Sequence, residues 1–197
     1  MGDFVECDPK LLAPGELYDL LHEAIQPRPV VLVSTLHPDG SPNLAPFSYI
    51  TVGGIHPPSL VFSPTLSQKS TPKNSLRNVE RSGEFVVNIV DDRLADALTV
   101  LGAERQAPFN EFAAAGLTMA PSQKVQPPRI AESPLQLECR VFQIVAHGEG
   151  PGSANYVIGE VLQIHRRVEV HPVGRLSGAD YLDTKSMEIF RLPRHNL

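Results

Sequence analysis

Between Arg28 and Val90 four short apolar runs, Val30–Thr35, Asn43–Val52, Ser59–Ser63 and Phe85–Val90, are set apart by clusters of Pro, Gly, Asn and Asp. The runs are rich in Val, Ile and Phe, which suit a pleated, half-buried surface, while the separators suit turns. Two longer runs, Leu135–Ala146 and Tyr156–Val168, are joined through the Gly-rich segment from His147 to Asn155. Six strands with few helices point to a mainly β protein, a small antiparallel barrel.

The separators have their own chemistry. His37-Pro38-Asp39-Gly40 is a turn, with proline presetting one dihedral and glycine able to take positive φ. Pro46 cannot donate to a ladder, so it marks a sheet edge, a bulge, or a place where a ligand meets free backbone. Phe85–Val90 is apolar throughout, as expected of a central strand. Helical spacing of Leu17, Leu20, Leu21 and Ala24 predicts an amphipathic helix over Pro14–Ala24. Thr71-Pro72 reads as an N-cap and first helical residue, with Gly83 closing that helix. Asp91 caps a further helix through Leu101, and a short one is expected over Asn110–Ala115. Pro121–Pro134, with its prolines, reads as an extended strap over the surface, the kind of long connection that serves function or a partner subunit.

The 197 residues fit one domain, 1–197, with residues 1–26 as a helical lead-in and 172–197 as a tail. A net charge of −5 argues against a nucleic-acid binder. No apolar run approaches the roughly 20 residues that span a bilayer, and the N-terminus lacks a signal-peptide pattern. Cytoplasm is the default compartment. Cys7 and Cys139 are too few for a disulfide framework or a zinc site, and Cys139 alternates with leucines as a core residue does.

The polar segment between the third and fourth runs carries Ser63, Thr65, Ser67, Lys69, Ser70, Thr71, Lys73, Ser75 and Arg77. A helix start offers unpaired N–H groups and the positive end of a dipole, so these residues fit a phosphate site. Capped helix starts are common, so taken alone these residues fit an ordinary solvated loop before a capped helix better. Gly148–Gly152 lies between strands and contains Pro151, so it is no dinucleotide fingerprint. There is no phosphate-loop motif, no nucleophile elbow and no paired histidine spacing for a metal. Without a nucleophile, metal or acid–base signature, no catalytic side chain is named, and any redox chemistry falls to a bound cofactor.

The ordered segments RPVVLVST, DGSPNLAPFSYI, PPSLVFS and KNSLRNVERSGEFVVNIV resemble the flavin reductase-like, FMN-binding split-barrel family. FNEFAAAGLTMAPSQKVQPPRIAESPLQLECR, VIGEVLQIH and VGRLSGADY extend the likeness from Pro27 to Tyr181. The resemblance implies a six-stranded antiparallel Greek-key split barrel, a homodimer, and FMN (or FAD in its place) near the subunit interface. It implies an oxidoreductase that reduces flavin or another acceptor with NADH or NADPH; the alternative is a non-catalytic flavin-binding or storage module. It places Ser34 and Thr35 beside the flavin, with Asn43, Ala45, Pro46, Phe47, Ser48 and Tyr49 contacting it along the second strand. Ser63, Lys73, Asn74, Ser75 and Asn78 would surround the phosphate, and His165, Arg175 and Tyr181 match positions near the site. Where the family often has Asp-Thr after the lysine this chain has Asn74-Ser75, and a usually Ser-rich stretch is Gly53-Gly54-Ile55.

Overall fold

The apolar runs become strands, and one of them becomes two. In the computed structural model, which describes residues 4–25, 28–102, 109–168, 181–182 and 189–190, the run beginning at Asn43 breaks into β2 (Pro42–Phe47) and β3 (Ile50–Ile55). The first strand, β1, spans Val31–Leu36; β4 spans Pro58–Phe62, β5 Glu84–Ile89, β8 Leu135–His147 and β9 Ala154–Arg166. A small pair joins β6 (Met119–Ala120), just before the strap, to β7 (Arg129–Ile130) within it, and β10 (Tyr181–Leu182) pairs with β11 (Ile189–Phe190).

The main sheet runs β2-β1-β5-β8-β9-β4-β3, every neighbour antiparallel. Its two edge strands, β2 and β3, are consecutive in the chain and separated only by Ser48 and Tyr49. The sheet therefore curls until one bent segment holds both edges, which is a barrel split at the bend. The expected six strands and the observed seven differ by this bend alone. Pro46, opposite Leu32, sits in an edge strand, where a residue without an N–H is tolerated. The bend stays tethered to the end of β4, because Ser63 N–H donates to the Tyr49 carbonyl at 2.9 Å.

Alternation along β1 feeds two cores. Val31 and Val33 face the barrel interior with Phe62, Phe85 and Val157, whereas Val30 and Leu32 face an outer cluster with Leu98, Phe112 and Ile130. Burying each large side chain contributes roughly 1.5–3 kcal/mol. The Phe85 ring lies against the backbone of Gly159 on β9: a Cβ there would stand 2.4 Å from Phe85 Cζ. Cys139 is fully buried, as its alternation predicts, and burial pushes its thiol far above the usual range.

Helix α1 (Pro14–Ala24) forms where the spacing predicts it, yet it buries no residue. Its attachment is polar: His22 stacks on Tyr18 and its Nε2 lies 2.8 Å from the Tyr49 hydroxyl. Helix α2 (Asn74–Ser82) drives Leu76 and Val79 into the barrel and ends at Gly83, which takes the left-handed φ of 68° that a C-terminal turn needs. It is followed by α3 (Ala95–Leu101), entered through a turn in which Asp91 accepts from Arg93 N–H, and by α4 (Glu111–Ala114), capped by Asn110. None of the described helices is long and apolar enough to cross a membrane.

The strap is not extended as its prolines suggested: it bends over 123–127 and turns back so that Arg129–Ile130 pairs antiparallel with Met119–Ala120, and buried polar side chains pin it. Glu138, on β8, is fully buried and accepts from the N–H groups of Gln123 (2.9 Å) and Lys124 (2.5 Å). Asn88 accepts from Ile130 N–H at 2.8 Å, and Gln136 donates to the carbonyls of Ile130 and Ser133. Strand alternation alone places Glu138 opposite the Leu135–Leu137 face; the strap converts that outer face into a second interior.

Candidate functional site

An open cleft of about 1130 Å³ runs between β2, the start of α2, and the end of α3 with α4. Both α2 and α4 pack against β2, so the edge strand forms the floor. Its open side carries backbone groups with no partner in the sheet.

The start of α2 differs from the sequence expectation. The N-cap is Lys73, not Thr71, and the first helical residue is Asn74, not Pro72. Thr71 is already committed: its carbonyl accepts from Ser67 N–H at 2.9 Å, its N–H donates to Ser67 Oγ at 3.2 Å, and the two hydroxyls lie 2.7 Å apart. The loop thus closes on itself, aided by Ser70 at φ 56°. Lysine has no acceptor to offer, and no side chain caps the helix. The first-turn N–H groups, which have no intrahelical acceptor, are left at the cleft with the Lys73 ammonium.

Behind this turn lies a buried polar knot. Asn43 donates from Nδ2 to Thr35 Oγ1 (3.0 Å) and to Ser75 Oγ (3.1 Å), while Asn78 Nδ2 donates to the same Thr35 oxygen at 3.0 Å. All four side chains are buried. The knot fixes α2 against β1 and β2, so the direction of the free N–H groups is set by sheet geometry rather than by loop residues.

The expected site residues separate into groups. Asn43, Ala45, Pro46, Phe47, Lys73, Asn74 and Ser75 line the cleft. Thr35 and Asn78 stand one layer behind it. Ser34 points the other way, donating to the Pro128 carbonyl of the strap at 2.5 Å. Ser48 and Tyr49 form the bend beyond the cleft; burial raises the Tyr49 phenol, reinforced by Tyr18 and opposed by Arg28. Ser63 is buried at the end of β4, and its hydroxyl has no hydrogen-bond partner. His165 is not among the residues lining the cleft: its Nε2 sits 2.6 Å from Glu138 Oε1, under the strap. Arg175 and the side chain of Tyr181 lie outside the described residues.

Sequence reasoning missed the opposite wall. Leu101, Phe109 and Glu111 line the cleft with His37 and Arg77. Local pattern had given a short helix after residue 109 but carried no sign that it folds over β2. Burial raises the Glu111 carboxyl, with its own backbone N–H and His37 pulling it back. Asp39, also on the rim, is engaged by Ser41 N–H (2.9 Å) and Oγ (2.6 Å). Among the described residues no cluster of His, Cys, Asp and Glu could hold a metal.

A wall of uncapped N–H groups and a lysine suits a dianion, and an open strand edge suits the hydrogen-bonding rim of a flat heterocycle. The family model described as flavin reductase like domain matches residues 24–176. Protein BH2278 of Halalkalibacterium halodurans is 35% identical over 205 residues, covering 96% of each chain. Nitrilotriacetate monooxygenase component B from Bacillus cereus superposes with a TM-score of 0.83 at 26% identity, over 100% of this chain and 95% of its own. The 2-nitrobenzoate 2-nitroreductase NbaA of Pseudomonas fluorescens does so at 0.72 and 26%, over 94% and 82%.

Proposed function

The chain belongs to the flavin reductase like domain family, and from that premise we propose that it is an FMN-binding oxidoreductase that uses NADH or NADPH to reduce flavin or another acceptor. The observation that carries the reading is the uncapped α2 start with Lys73 beside it, opening on the cleft floored by β2. Orphan N–H groups at a helix start favour a bound anion, and Lys73 adds a mobile positive charge. The residues present therefore fit a phosphorylated flavin. Ser63, which the reading also sets near the phosphate, is buried at the end of β4 and is not among the residues lining the cleft.

In this reading Lys73, Asn74 and Ser75 hold the phosphate, and Asn43 holds Ser75. Ala45, Pro46 and Phe47 offer the open edge of β2 to the ring, with Ser48 and Tyr49 continuing it around the bend. Thr35 and Asn78 keep α2 in place from behind, and Ser34 does the same for the strap. The flavin, when bound, supplies hydride and electron chemistry that no side chain here can supply. The protein contributes position, fixed dipoles aimed at developing negative charge, and a wall against water.

The reading extends to a homodimer. Phe142 and Val145 on β8 and Val52 and Ile55 on β3 are exposed, with Phe142 75% and Val52 72% accessible. Apolar side chains in such number favour cover by a partner surface.

The test is a visible spectrum of the purified protein titrated with FMN and with FAD, followed by rapid mixing of the loaded protein with NADH or NADPH under anaerobic conditions. Saturable FMN binding and bleaching on mixing are expected. Binding without bleaching supports a non-catalytic flavin carrier instead, and no binding at micromolar FMN removes the reading.

A further inference from the structure

Helix α2 runs from the proposed phosphate turn toward the turn between β1 and β2, and three side-chain contacts fix its register. Asn43 donates to Ser75 Oγ at 3.1 Å, Asn78 to Thr35 Oγ1 at 3.0 Å, and Arg81 to the carbonyls of Leu36 (2.9 Å) and His37 (3.1 Å). The cleft follows the helix in that direction. Beyond Asn43 its lining continues through Pro42 and Ser41 to Asp39 and His37, with Arg77 on the helix side. The ring is assigned the other way, over Ala45, Pro46 and Phe47, so a mononucleotide ends at Ser75 and does not reach this stretch.

Arg77 stands one turn after Lys73 on the same helix face, about 6 Å along the axis. Neither has an ion-pair partner among the described residues. The neighbouring groups are committed: Arg81 to the turn carbonyls, and the Asp39 carboxylate to Ser41 N–H (2.9 Å) and Oγ (2.6 Å). Positive charge is therefore spread over a full helical turn of the wall rather than gathered at the helix start. A phosphate monoester gathers about −1.5 to −2 of charge on one group at neutral pH. A pyrophosphate diester divides a similar charge between two adjacent phosphoryl groups, which matches the wall. A separate anion placed there would be repelled by the bound phosphate, whereas a phosphoryl group joined to it by a bridging oxygen carries that repulsion free and bound alike.

We infer that Arg77 and the cleft beyond Asn43 form a subsite for a second phosphoryl group joined to the flavin phosphate. The protein then takes the dinucleotide form of the flavin, FAD, in preference to FMN, and Arg77 is the residue that sets the preference. FMN binds through the α2 start alone. The inference rests on the flavin reading given above and deepens it by naming the class of flavin.

The test compares wild type, Arg77→Gln and Arg77→Lys, each freed of flavin and titrated with FMN and with FAD by fluorescence. NAD⁺ is then titrated into the FMN-loaded forms. Arg77 is exposed, so the variants keep the fold, which thermal melting checks. Wild type is expected to bind FAD roughly three- to tenfold more tightly than FMN. Arg77→Gln is expected to raise the FAD dissociation constant about tenfold and to leave that of FMN within about twofold. Arg77→Lys, which keeps the charge, retains most of the preference. A wild type that binds FMN as tightly as FAD, or more tightly, overturns the inference alone. So do unchanged affinities in Arg77→Gln, and equal losses for both flavins, which would give Arg77 to the first phosphate. A loss confined to NAD⁺ also overturns it and gives Arg77 to the nicotinamide nucleotide. A wild type that binds neither flavin overturns it together with the reading beneath it.

Discussion

Asn43 donates from Nδ2 to Ser75 Oγ at 3.1 Å and so fastens the edge strand β2 to the first turn of α2. The two residues belong to the two halves of the proposed flavin site, the ring wall and the phosphate turn. One amide thus couples both, since it also donates to Thr35.

Replacing Asn43 with alanine leaves the buried Ser75 hydroxyl without its donor and Thr35 with Asn78 alone, at a cost of about 1–3 kcal/mol. For a chain of this length that lowers the melting temperature by roughly 2–4 °C per kcal/mol. FMN affinity falls as well, because the phosphate turn loses its anchor. Calorimetric melting with a fluorescence titration reads both effects.

Lys73→Ala combined with Ser75→Ala removes the charge and one hydroxyl from the helix start. A hydrogen bond to a charged group contributes roughly 1.5–3 kcal/mol, so the FMN dissociation constant is expected to rise about ten- to hundredfold. Lys73 is exposed and its loss leaves the fold unaffected, whereas loss of the buried Ser75 hydroxyl unpairs one Asn43 N–H and costs about 1–3 kcal/mol of stability, so Lys73→Ala alone serves as the control. Unchanged FMN binding in a fluorescence titration would relocate the phosphate site.

Gly159→Ala is expected to destabilise the barrel by about 1–3 kcal/mol or more, because the new methyl meets the Phe85 ring inside contact distance. Phe85→Leu in the same chain relieves the clash and recovers part of the loss. Denaturant midpoints of the two variants and the double variant read the coupling.

Glu138 governs acid sensitivity. Burial alone would push its carboxyl up, but the N–H groups of Gln123 and Lys124 and the His165 ring outweigh it and hold it below the ordinary range. A depressed folded value means that the stabilisation is complete above the unfolded value near 4.5 and is lost as pH falls through the folded one. The strap is therefore expected to loosen below about pH 4.5, read as faster hydrogen exchange at Gln123 and Lys124. Glu138→Gln should weaken the strap at neutral pH and abolish this acid dependence.

In solution the proposed dimer should persist at micromolar concentration. Phe142→Asp with Val145→Asp places charges on the exposed end of β8 and should yield monomers by light scattering. A wild type that runs as a monomer at that concentration would discard the dimer.

The α1 span, the strands other than the run from Asn43, and the burial of Cys139 were readable from local pattern, because alternation and turn chemistry act within a few residues. The break of that run at Ser48–Tyr49 was not, and Asp91 caps the turn before α3 while Leu94 is the N-cap of α3 itself. The cleft residues on β2 and α2 were readable through the family resemblance, which compares ordered segments. The position of the α2 cap was misread, because Thr71 had a competing partner in Ser67 that no helix-start rule takes into account. Glu111 was missed for a related reason: its place in the cleft wall depends on where α4 lands.

By itself the sequence determined a barrel of antiparallel strands with a polar, basic helix entry after β4, since strand, turn and helix preferences are short-range. Tertiary structure alone decided which faces are interior. It bent one strand at Ser48–Tyr49 to close the sheet, laid the strap over Glu138 and brought α4 across β2. Those outcomes depend on contacts between residues far apart in the chain, where the geometry of the whole sheet, and not the propensity of any segment, fixes what meets what.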